Sequence, residues 1–171
     1  MPKTISEDDA LRIWFRFLRL GSRIRCEIGN RLKALGISIP QCDVLTTLTE
    51  AEGLSQQDLA TRLYVTKGNI SGLIDRLVEA HLVERRKGGA DRRSHAIFLT
   101  SEGRRIAEEG IAIQRVFVAE TIGRLPADKG TEFEATLIAM RDLVRAGTNA
   151  PQAATRRRST RAGKPSMLSN T

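Results

Sequence analysis

The chain has 171 residues, 40% of them apolar but only 4% aromatic, which is enough for one domain with a modest aliphatic core or for two small helical lobes. Its formal net charge is +8, but Arg156, Arg157, Arg158, Arg161 and Lys164 supply five of those charges, leaving about +3 for the remainder, so the bulk charge overstates how basic the folded part is. No apolar run approaches the length of a membrane span, and the start M-P-K-T-I-S-E-D-D is polar and acidic, so a soluble, cytoplasmic chain with no membrane partner is expected.

A first helix is predicted to begin near Glu7 to Asp9, where acidic side chains complement the helix dipole. Leu11, Phe15, Leu18, Ser22, Ile28, Leu32 and Leu35 keep a helical stripe for about 25 residues, more than one small lobe can bury. Residues 1–36 are therefore assigned to a dimerisation helix. Trp14 and Phe15 are read as core, while Trp14, Arg19, Arg23 and Asp43 form the alternative, a crevice for a small aromatic or phenolic effector. Cys26 and Cys42 are read as reduced thiols, Cys42 as a core residue of the helix opened by P-Q-C-D-V-L.

Residues 37–100 carry the most specific signal. Ser55 with Asp58 three residues later is a capping box, from which a helix of about eight residues runs to Leu63 and buries Leu59 and Leu63. After Tyr64-Val65, Thr66 is placed to cap a second helix. There Ile70, Ile74, Leu77 and Val78 form one apolar stripe, leaving Lys67, Asn69, Ser71, Gly72 and Arg76 on other faces. This is a helix-turn-helix pattern with a lean outer face. Two glycines, Gly68 and Gly72, cost roughly 1 kcal/mol each relative to alanine inside a helix, so close approach to another surface accounts for them better than helix filling. A helix entering the DNA major groove needs small, polar side chains on its first turns. A short helical hairpin inside an ordinary core is the alternative.

Two short strands follow, Leu82 to Arg86 and His95 to Leu99, with Val83, Ile97 and Leu99 inward and K-G-G-A-D-R-R turning between them. Arg85, Arg86, Lys87, Arg92 and Arg93 stand there against the single acid Asp91. Arginines at a hairpin tip suit the narrow, electronegative minor groove of A·T-rich DNA. A helix-turn-helix followed directly by such a hairpin predicts a duplex-DNA reader.

Thr100 is expected to cap a long helix on which Ile106, Gly110, Ile113 and Phe117 share a face, and Leu125-Pro126 to open a last one carrying Phe133, Leu137, Met140 and Val144. Residues 101–147 are assigned to dimerisation, the first and last helices of two subunits interlocking. Residues 148–171 hold five basic residues, no acids and almost no large apolar side chains, so a disordered basic tail is predicted. No phosphate-binding loop, nucleophile elbow or metal-ligand cluster is present, so neither a catalytic site, a metal nor a cofactor is expected.

The runs TKGNISGLIDRL, LVERR and DRRSHAIFLTSEGR closely resemble the signature region of the MarR family (multiple antibiotic resistance regulators), bacterial winged-helix transcription factors that work as homodimers. The resemblance spans roughly Leu11 to Arg145. It implies that the helix from Thr66 to Ala80 lies in the major groove, and that Arg92 and Arg93 contact DNA while Asp91 orients one of them. The chain departs from the family at Ala80-His81-Leu82, where glycine is usual between recognition helix and wing; histidine must end the helix there. Peroxide-sensing members carry a reactive cysteine near the start of the first helix with tyrosine partners. Here Cys26 lies deep in that helix and Tyr64 is the only tyrosine, which argues against redox sensing. Trp14 and Asp43 loosely resemble urate-responsive members, but the recognition helix does not follow that subgroup.

The sequence therefore predicts a mainly α fold, a winged helix-turn-helix with a two-stranded β wing and long N- and C-terminal dimerisation helices. The expected DNA-contacting set is Ser55, Thr66, Lys67, Gly68, Asn69, Ser71, Arg76, Arg86, Asp91, Arg92 and Arg93. The expected function is a homodimeric repressor on a pseudo-palindromic double-stranded operator, released by a small-molecule effector. The alternative is an architectural or constitutive DNA-binding protein with no effector.

Overall fold

The structure is a computed structural model that describes residues 4–87 and 95–149. The elements run α1 (Glu7–Leu32), α2 (Ile39–Glu50), β1 (Leu54–Ser55), α3 (Gln56–Arg62), α4 (Lys67–Glu79), β2 (Val83–Lys87), β3 (His95–Leu99), α5 (Ser101–Glu120) and α6 (Ala127–Asn149). They divide into two compact units, Met1–Gly123 and Arg124–Thr171.

Local chemistry sets most of the boundaries. Ser6 caps α1 ahead of Glu7, Asp8 and Asp9. Ser38 and Gln41 close a capping box on α2 with Pro40 in its first turn, and Thr100 caps α5 by accepting from the Gly103 amide at 2.9 Å. The core of the first unit gathers Leu32 of α1, Val44, Leu45 and Leu48 of α2, Leu59 of α3, Ile70, Ile74 and Leu77 of α4, Ile97 of β3, and Ile106 of α5. Helices α2 and α5 approach closely because Gly110 carries no side chain: a Cβ there would lie 2.8 Å from Sγ of the fully buried Cys42.

The sheet has three strands in the order β1-β3-β2, both pairings antiparallel. The predicted hairpin is its β2-β3 part, with Val83 opposite Leu99 and Arg85 opposite Ile97. The third strand is an addition to the two-stranded expectation. Leu54 and Ser55 pair with Ile97 and Ala96 on the other edge of β3, and two residues are too few to leave an alternating pattern in sequence. Strand β2 also begins at Val83 rather than Leu82, because Leu82 closes the cap of α4.

Trp14 and Phe15 are not core, contrary to the expectation. They are 48% and 50% exposed, as are Leu11, Ile13, Phe17, Leu18, Leu20 and Ile24 to similar degrees. Only Ile28 and Leu32 of α1 enter the core. The apolar stripe of α1 thus continues well beyond what the core of this unit covers. The second unit contributes α6, whose Phe133, Leu137, Ile138, Leu143 and Val144 are likewise exposed.

Candidate nucleic-acid interface

Helices α3 and α4 are joined by Leu63–Thr66. Tyr64 sits at φ 53°, with its amide on the Thr61 carbonyl (3.4 Å) and the Val65 amide on the Ala60 carbonyl (3.0 Å). That pair of bonds is a Schellman ending, carried here by a tyrosine that is 84% exposed. Thr66 then caps α4, its Oγ1 accepting from the Asn69 amide at 3.3 Å. Ile70, Leu73, Ile74 and Leu77 are buried, which turns Lys67, Gly68, Asn69 and Arg76 outward together.

Two of the predicted contact residues are committed within the protein. Ser55 Oγ accepts from the Asp58 amide (3.1 Å) and donates to Asp58 Oδ2 (2.7 Å), which makes it a structural cap. The Ser71 hydroxyl lies 2.9 Å from Gln56 Oε1 and 3.0 Å from the Lys67 carbonyl oxygen, so it fastens α4 to α3 from a half-buried position. The outer face of α4 is open at its two glycines. Nothing lies within 4 Å of where a Cβ of Gly68 would stand, and at Gly72 the nearest atom is Nη1 of Arg76 at 3.8 Å. The Arg76 side chain therefore runs back along the helix over Gly72. A groove of about 350 Å³ follows this face, lined by Pro40, Val65, Gly68, Asn69, Gly72, Leu73 and Arg76. Pro40 was legible in the sequence only as part of a helix start.

At its far end α4 finishes on a second Schellman motif. His81 is at φ 56°, with its amide on the Val78 carbonyl (2.9 Å) and the Leu82 amide on the Leu77 carbonyl (2.9 Å). Thr100 Oγ1 donates to the His81 carbonyl at 2.8 Å, tying this corner to the start of α5. The hairpin root is anchored on both sides: Arg85 pairs with Asp75 of α4, and the Arg86 guanidinium lies 4.4 Å from the Phe98 ring centroid while its Nε donates to Glu84 at 2.9 Å. Arg86 is thus held on the strand surface, and Arg85 links the hairpin to the recognition helix. Asp91, Arg92 and Arg93 lie outside the described residues, as does the basic tail from residue 150 onward.

The four effector candidates are not brought to one face. At about 100° per residue, Arg19 and Arg23 stand about 140° and 180° around α1 from Trp14. Asp43, on α2, is half-buried, and burial pushes its carboxyl above the ordinary range. Burial likewise raises the Cys42 thiol, against a smaller opposing effect from the Gln114 amide 3.4 Å from its sulfur. Cys26 is exposed. Among the described residues no group of three His, Cys, Asp or Glu side chains is placed to hold a metal, and no helix is long and apolar enough to cross a membrane.

Known proteins match this arrangement. The family model described as MarR family matches residues 35–94. HTH-type transcriptional repressor Rv2887 of Mycobacterium tuberculosis is 31% identical over 130 residues, covering 76% of this chain and 93% of that protein. The chain belongs to the MarR family. A second MarR-family comparison, with HTH-type transcriptional regulator PrsX of Escherichia coli, gives 34% identity over 119 residues, covering 68% of this chain and 72% of that protein. The fold matches the crystal structure of the S. aureus MepR–DNA complex with a TM-score of 0.70 and 22% identity over 76% of this chain and 96% of that one. In this MarR-family chain the family match covers α2 through the hairpin, the same segment that positions Lys67, Asn69 and Arg76.

Proposed function

We propose that this MarR-family chain is a homodimeric, sequence-specific reader of duplex DNA that represses transcription by occupying a pseudo-palindromic operator. The observation that carries the reading is the outer face of α4. Gly68 and Gly72 keep it flat, Asn69 and Arg76 offer hydrogen-bonding groups to base edges, and Lys67 sits at the helix start. The Asp75–Arg85 link fixes the hairpin beside that face, so that helix and wing address adjacent grooves, with Asp91, Arg92 and Arg93 at the tip. The names of Rv2887 and PrsX, and the DNA in the MepR complex, support the same reading. Residues 37–100 form the DNA-binding lobe in this proposal, and residues 1–36 and 101–147 supply the dimer contacts. The chain works without catalysis, in the cytoplasm.

Release by a small effector is the finer part of the proposal. The spread of Trp14, Arg19 and Arg23 around α1 favours the second reading, a constitutive or architectural DNA-binding protein. Base reading separates the two classes from plain polycation binding. Asn69→Ala should cost roughly 1–3 kcal/mol on a duplex that the wild-type chain selects from a random pool and much less on mixed-sequence DNA. Titration of both duplexes at one fixed salt concentration checks this, and equal losses on both would overturn sequence-specific reading.

A further inference from the structure

The largest groove described lies away from the reading face of α4, in the corner between the C-terminal half of α1 and the first turn of α2. It measures about 720 Å³ and is walled by Arg25, Cys26, Asn30 and Lys33 on one side and by Ile37 to Gln41 on the other. Pro40 lines this groove and also the groove along α4, so the two meet at the start of α2. Their charged residues are Arg25, Lys33 and Arg76, and no carboxylate is among the residues that line either. This contrasts with the rest of α1 and α5, where Arg12, Arg31, Arg104 and Arg105 are each paired with an acid. The nearest polar contacts of the two corner cations are neutral: Lys33 Nζ donates to Asn30 Oδ1 at 2.8 Å, and Arg25 Nη2 to Ser22 Oγ at 3.4 Å. Both side chains are exposed.

We propose that the α1–α2 corner is a second DNA-binding surface, on which the phosphodiester backbone that flanks the major-groove contact of α4 runs past Pro40 and is neutralised by Lys33 and Arg25. This inference rests on the DNA-reading role of α4 proposed above. Continuity at Pro40 places the corner next to the reading surface, and an acid-free basic lining matches a polyanion. Ammonium and guanidinium groups on phosphate oxygens carry no sequence information, so the corner adds affinity and fixes the register of the helix without altering which sequence is preferred. It would extend the footprint on the side of α4 opposite to the hairpin.

The test measures affinity of the full chain against KCl concentration for the wild type, Lys33→Gln, Arg25→Gln and the double variant, using a duplex selected by the wild type from a random pool. Lys129→Gln, which removes the same charge from α6, is the control, and thermal melts confirm that each variant folds. The expected result is a slope of log affinity against log salt that flattens by about 0.9 for each phosphate no longer neutralised, with the preference for selected over mixed-sequence DNA unchanged. A slope no different from that of Lys129→Gln would overturn the proposal. So would a slope that stays constant while Lys33→Gln abolishes an effect of added benzoate on DNA affinity, which would make the corner a small-anion site. If the wild type selects no sequence at all, the DNA-reading proposal itself fails, an outcome separate from these.

Discussion

At the residue scale, two side chains hold states that local sequence did not dictate. Burial favours the neutral carboxyl of Asp43 in the folded chain. The stability this gives is complete below about pH 4, where the unfolded chain is also protonated, and is lost as pH rises through the higher folded-state value. Asp43→Asn, which is neutral at every pH, should therefore raise the melting temperature at pH 7 and change it much less at pH 4. Equal shifts at the two pH values would mean that the carboxyl is as well solvated folded as unfolded. His81 stands in the left-handed region that α4 needs for its ending. Glycine adopts that conformation freely, so His81→Gly should stabilise the chain by roughly 0.5–1 kcal/mol, read from urea unfolding midpoints at unchanged slope. Loss of stability would show that the imidazole makes a contact worth more than the backbone strain.

At the scale of elements, the junction of α2 with α5 is the tightest packing described. Gly110→Ala would place a methyl 2.8 Å from the Cys42 sulfur and should cost about 1–3 kcal/mol. Adding Cys42→Ala should recover part of that loss, because the shorter side chain vacates the space the methyl needs. A double-mutant cycle with additive losses would place the strain elsewhere. The starts of α3, α4 and α5 were legible because a cap is a bond between residues three apart: Ser55 with Asp58, Thr66 with Asn69, Thr100 with Gly103. The hairpin strands were legible from their alternation. Strand β1 was not, since Leu54 and Ser55 are ordered by β3 more than forty positions later. Ser71 on α4 illustrates the same limit within the candidate site. Its spacing placed it off the apolar stripe, but only the position of Gln56 on α3 decides that its hydroxyl turns inward.

At the scale of the whole molecule, the open question is what covers α1. The sequence revealed that Leu11, Phe15 and Leu18 form a stripe, and a stripe says how apolar a face is without saying whose core it joins. Trp14 and Phe15 were for that reason read as intrachain packing, and the structure leaves both half exposed. With Ile13, Phe17, Leu20 and Ile24 exposed as well, α1 is apolar on two sides, which a second copy can bury and water cannot accommodate cheaply. Sedimentation equilibrium at micromolar concentration should return twice the 18.9 kDa chain mass. A monomer under those conditions would refute the dimer assigned to residues 1–36 and 101–147.

The two-sided apolar surface of α1 also bears on how subunits would trade places. A partner that wraps such a helix cannot slide off it without first uncovering both stripes, so separation and local unfolding become one event, and the stability of each chain is tied to its concentration. Dimers formed during synthesis would then keep their original members. Two differently tagged populations mixed after folding should yield hybrids only on the timescale of unfolding, and a defective subunit would spoil the dimers it is made into while leaving older ones untouched.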